Sequence, residues 1–107
     1  MFMRQYFIYN ERLGIELPHL QDEWETIPPE MQQAILLKWE SIRGHIPDRI
    51  KELEHTINSK QHKLNHEENF ETSCRLNTEI ADLASIINDL WLWYRLTQNV
   101  SEGKAHQ

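Results

Sequence analysis

Along most of this chain the apolar positions recur at intervals of three and four, the period of helices that bury one face. Phe2, Tyr6, Tyr9 and Leu13 are spaced four, three and four, and Gly14 stands where a C′ glycine would end a helix. The run YFIY within that segment fits a strand equally well. After Leu17-Pro18, a short helical segment places Leu20, Trp24 and Ile27 on one face, with Asp22 and Glu23 near its positive N-terminal end, until Pro28-Pro29 stops it. Pro29 suits the first position of a third helix, whose inner face is Met31, Ile35, Trp39 and Ile42 and which Arg43-Gly44 ends. Leu36 and Leu37 lie well off that face and need a second neighbour.

Pro47-Asp48 starts a fourth helix in the same way, over about 47–64. Its stripe, Ile46, Ile50, Leu53, Ile57 and Leu64, is the narrow seam of a coiled-coil-like contact. Continued further, that register lands on Glu71 and Thr78, so a turn is expected, with Asn65 as N-cap and Glu68 completing a capping box. A fifth helix, about 66–97, carries Leu76, Ile80, Leu83, Ile87, Leu90 and Tyr94 on one side and Glu68, Glu71, Arg75, Glu79, Asp82 and Asp89 on the other. The pattern predicts an all-α fold: an antiparallel helical hairpin wrapped at one end by N-terminal helices. Residues 1–97 would form one helical domain and 98–107 a polar, disordered tail.

At a rise of 1.5 Å per residue the fourth helix reaches about 27 Å and the fifth about 46 Å, so the last turns of the fifth outrun their partner. Those turns read SIINDLWLWYRL and are apolar almost all the way round. Trp24, Trp39, Trp91 and Tyr94 are expected as core aromatics that join the N-terminal wrap to the hairpin. Trp93 projects from the side of Asp82 and Asp89, and with Leu92, Leu96, Leu36 and Leu37 it is the expected interaction surface.

Composition narrows the choice of function. The 107 residues carry a net charge of −6, with no basic stripe that would track phosphates, which argues against nucleic acid as a partner. The charge is uneven: residues 1–46 sum to −3, 47–66 to +1 and 67–97 to −4, a bias that suits pairing of the fourth helix with the fifth. No window approaches a membrane span, and the tryptophan-rich turns sit in an acidic helix that anionic lipid would repel. A single cysteine, Cys74, allows no intrachain disulfide and points to a reducing, cytoplasmic setting; it is expected to be an inert, mostly buried thiol. The N-terminus lacks the apolar run and cleavage site of a signal peptide.

Candidate chemistry is sparse. His55, His62 and His66 line one side of the fourth helix, and His62/His66 have the i,i+4 spacing of a metal clip, with Glu67 as a conceivable third ligand. That line lies opposite the apolar stripe and reads as a solvated face, so no metal is expected. Glu52-Leu-Glu-His55 matches one fragment of a di-iron bundle, but its only counterpart, Glu16-Leu-Pro-His19, is interrupted by proline. Asn77 and Asn88 edge the apolar face of the fifth helix. Glu68/Glu71 and Glu79/Asp82 loosely resemble the paired acidic motifs of all-α nucleotide pyrophosphohydrolases, a resemblance that implies Mg²⁺ held on a triphosphate. Here the two motifs are seven residues apart on one helix face. The reading favoured is a small cytoplasmic interaction or regulatory protein, not an enzyme and without a cofactor. It would be homodimeric through the aromatic end of its long helix, with an unidentified protein as a further possible partner. The alternative is a small metal-dependent enzyme using those carboxylates.

Overall fold

The structure, a computed structural model, describes the backbone of residues 6–105 and the side chains of residues 6–95. Strands β1 (Phe7–Asn10) and β2 (Ile15–Pro18) are followed by a 3-10 turn at Trp24–Thr26 and two long helices, α1 (Pro29–Asn65) and α2 (Phe70–Ala105). The protein is thus mostly helical, two helices packed against each other, plus a small two-stranded sheet. By contact the chain divides into two compact units, Met1–Ile46 and Pro47–Gln107, with the boundary inside α1.

The first unit corrects the helix expected over residues 2–13. Phe2 lies outside the described residues, and the rest is an antiparallel hairpin with Ile8 opposite Leu17 and Tyr9 opposite Glu16. Aromatic and β-branched residues favour the pleated form, in which Tyr6, Phe7, Leu13 and Ile15 are buried while Ile8 and Tyr9 are exposed. The four-residue loop explains Gly14. Its φ of 77° is the left-handed conformation that glycine adopts without penalty. From there its N–H donates to the Asn10 carbonyl at 2.7 Å, while Asn10 Oδ1 accepts from the Leu13 N–H at 2.9 Å. Gly14 therefore closes a hairpin and not a helix. The segment expected as a helix around Leu20, Trp24 and Ile27 is reduced to the single 3-10 turn; Ile27 is buried and Leu20 exposed.

Two ties hold these elements to α1 within the unit. Lys38 Nζ lies 4.8 Å from the centre of the Phe7 ring and 3.5 Å from the Glu16 carboxylate. The Gln32 side-chain amide donates to the Trp24 carbonyl at 2.7 Å. Pro29 is the first residue of α1, as the sequence indicates.

The third and fourth helices of the sequence reading are one helix of 37 residues, with Gly44 and Pro47 inside it. In an exposed helix these two would cost about 1 and about 3 kcal/mol. Here they are outweighed by phase. Trp39, Ile42, Ile46, Ile50, Leu53 and Ile57 continue the three–four spacing straight through the breakers, and Ile46 is fully buried with Ile50 and Leu53 nearly so. Burying each such side chain contributes about 1.5–3 kcal/mol.

In the second unit residues 47–65 of α1 run antiparallel to α2. Lys60 reaches Glu79 at 2.9 Å, and further along Ile57 and Asn58 share a groove with Ala84 and Ile87. The inner stripe is as the spacing predicts, with Leu76 and Leu90 buried. The turn, at residues 66–69, lies where the break in phase places it, but the second helix starts four residues later than expected. The last carbonyls of α1 are satisfied by His66, whose Nδ1–H donates to the His62 carbonyl at 2.9 Å, and by the His66 and Glu67 backbone N–H groups, which donate to Lys63 and Leu64. The cap of α2 is Asn69, not Asn65: its Oδ1 accepts from the Thr72 N–H at 2.9 Å. Asn69→Ala is therefore expected to lower stability by about 1 kcal/mol in chemical denaturation, against a change within about 0.5 kcal/mol for Asn65→Ala. The helix then continues through residues expected as a tail, as far as Ala105.

Candidate functional site

On α1, Ile35 and Trp39 point inward, and the 100° step per residue turns Leu36 and Leu37 away from them. Leu36 is 48% exposed and Leu37 75% exposed. Around them Gln33, Glu40 and Ser41 are also exposed, so two adjacent leucines stand in a polar helix surface.

On α2 the aromatic end sorts differently from the sequence reading. Leu90 is fully buried, and its successors Trp91 and Leu92 are exposed, at 37% and 52%. Trp91, expected in the core, lies outward with its ring edge-on to Tyr94, the centroids 5.6 Å apart at 89°. Trp93, expected outside, is half-buried and engaged in a contact of its own. Of the other core aromatics Trp39 is buried, while Trp24 and Tyr94 are half-buried. The side chain of Leu96 lies outside the described residues. The reason is angular: with Leu90 at the centre of the inner face, position 93 falls nearer that face than position 91 does.

Of the residues singled out for chemistry, His62, His66, Glu67 and Glu79 line one groove, while Glu68, Glu71 and Asp82 lie outside its lining and are exposed. Hydrogen bonding from Lys60 holds the Glu79 carboxyl below its ordinary value of 4.5, aided by the positive charges of Lys60, Arg75 and Lys63 and opposed by partial burial. A lowered pKa means this contribution to stability is fully present above the unfolded value and is lost as pH falls through the folded one. Wild type is expected to lose stability relative to Glu79→Gln on the acid side of 4.5, the two running parallel from about pH 5.5 to 8 in urea titrations. Among the described residues no group of three or more His, Cys, Asp or Glu could hold a metal ion. The His62 and His66 rings lie 4.7 Å apart, and His66 serves as the cap of α1. Cys74, expected as a mostly buried thiol, is exposed, as are Asn77 and Asn88. No described helix is long and apolar enough to cross a membrane.

The sequence reading missed a groove of about 490 Å³ at the closed end of the helical hairpin, lined by Lys60, His62, Lys63, Thr72, Arg75 and Glu79, with Leu76 at its floor. The signal was present as basic residues at the end of one predicted helix and the beginning of the next, which an antiparallel turn must bring together. No protein family, curated protein or solved structure matches the chain.

Proposed function

We propose that the protein is a small interaction module that self-associates through its apolar helical surfaces and acts in the cytoplasm. The observation that carries this reading is Leu37, three-quarters exposed beside a half-exposed Leu36 among the exposed polar residues Gln33, Glu40 and Ser41. Trp91 and Leu92 offer a second candidate face, on α2. Large apolar side chains in adjacent pairs lose free energy to water that a contact would recover, at about 25 cal/mol per Å². The dispersal of Glu68, Glu71, Glu79 and Asp82 favours an interaction role over a carboxylate-based enzyme, which needs its acids convergent on one site.

Light scattering on a sizing column tests the proposal. A molar mass of twice the 12.9 kDa chain, held across a hundredfold range of concentration, is the expected result. A monomer throughout that range sinks self-association and leaves these leucines without an assigned role.

A further inference from the structure

The groove at the closed end of the α1–α2 hairpin is electrostatically unlike the rest of the protein. The chain has 11 lysines and arginines against 17 acids, yet three of those cations line this one groove with only two acids, Glu67 and Glu79. Lys60 is committed to Glu79 at 2.9 Å, and Arg75 reaches the same carboxylate through Nε at 3.8 Å. That leaves donors in hand. The Lys63 ammonium makes no hydrogen bond or ion pair among the described residues, and the same holds for the Arg75 Nη groups and the Thr72 hydroxyl. A guanidinium still has two N–H edges to offer when one is occupied. The buried side chain of Leu76 forms an apolar floor, which keeps water from one side and strengthens attraction to any charge above it.

An ammonium, a guanidinium fork and a hydroxyl around one space form a donor set suited to a tetrahedral oxyanion. We propose that this groove binds a compact divalent oxyanion of the phosphate class, held by Lys63 and Arg75 with the Thr72 hydroxyl as a third donor. Lys60 and Glu79 are the supporting pair: Lys60 takes one carboxylate oxygen at 2.9 Å, and the other holds the Nε edge of Arg75 at 3.8 Å. The volume of about 490 Å³ admits such an ion, bare or as the end group of a larger ligand. The inference does not depend on self-association, since Leu36, Leu37, Trp91 and Leu92 are all outside the groove lining.

The test is a ¹⁵N NMR titration of the full chain with inorganic phosphate at constant ionic strength, chloride making up the balance. The expected result is a saturable shift of the Lys63, Thr72 and Arg75 amides, with apparent affinity reduced about tenfold or more by Lys63→Gln and by Arg75→Gln. Lys51→Gln, an exposed lysine of α1 outside the groove, should leave the affinity unchanged. Circular dichroism of each variant confirms that the fold is intact. Shifts that grow linearly without saturation, or a curve that neither groove variant alters, overturn the proposal. A benzyl phosphate titration separates the two sources of the same chemistry. Tighter binding than inorganic phosphate indicates the end group of a larger ligand, and equal or weaker binding indicates the free ion; both support an oxyanion site.

Discussion

Leu90→Ala is expected to destabilise the protein by about 2–5 kcal/mol, and Leu92→Ala by no more than about 0.5 kcal/mol. The two leucines are two residues apart on the same helix, with the same intrinsic propensity, and differ only in where the helix turns them. Leu90 is fully buried, so truncation removes apolar contacts and leaves a cavity that the surrounding helices fill only in part. Leu92 is 52% exposed and loses little that water had not already reached. For a chain of this size the Leu90 variant should melt on the order of 10–20 °C lower, enough to leave it partly unfolded at 37 °C if the parent is marginal. Thermal melts followed by circular dichroism check this. Comparable losses for the two variants would mean that α2 is rotated relative to the register described above.

Leu37→Glu should act in the opposite way, with little change in the stability of the monomer and a large one in association. The side chain is 75% exposed in the isolated chain, so a charged replacement costs the fold about 0.5 kcal/mol or less. In a self-association interface the same change buries a carboxylate against apolar surface, and two copies meet it twice if the contact is symmetric. A loss of association of a hundredfold or more is expected, about 2.7 kcal/mol. Sedimentation or light scattering should show a protomer-sized species with unaltered helicity, and Leu92→Glu tests the α2 face separately. If the parent self-associates and both variants keep its mass, the interface lies on neither surface. Because Trp93 is half-buried and already engaged, a truncation there would confuse loss of fold with loss of contact.

The facing stripes of the helical hairpin were legible because their evidence is repeated. Ile46, Ile50, Leu53 and Ile57 on one side of the hairpin, and Leu76, Ile80, Leu83, Ile87 and Leu90 on the other, each restate the same period. What failed was single-residue punctuation. Gly44 and Pro47 read as a stop and a start, although the apolar phase on either side was unbroken; a comparison of phase across the pair would have shown one helix. Asn65 and Asn69 both stand before plausible helix starts, and only the Thr72 N–H bound to Asn69 distinguishes them. At the N-terminus four apolar positions matched a helix and a strand alike, because so short a run does not separate a period of 3.6 from one of 2. The exposed leucines on α1 were legible as residues off the inner face. The basic groove was not, since its members lie on both sides of a turn and acquire meaning only when the helices are laid together.

By itself, then, the sequence determined the apolar stripes along which the hairpin closes, that most of the chain is helical, and that neither a basic stripe nor a membrane span is among its features. Those are properties of neighbours within a few residues, set by backbone period and side-chain polarity. The tertiary structure decided whether α1 breaks at Pro47, whether Gly14 ends a helix or turns a hairpin, and which of Trp91 and Trp93 faces water. The third turns on which residue, Leu90, takes the centre of the inner face, while the first two are contests between a local preference of about 1–3 kcal/mol and burial energies of the same size. Where the two are so close, the contacts made by residues far apart in the chain select the outcome.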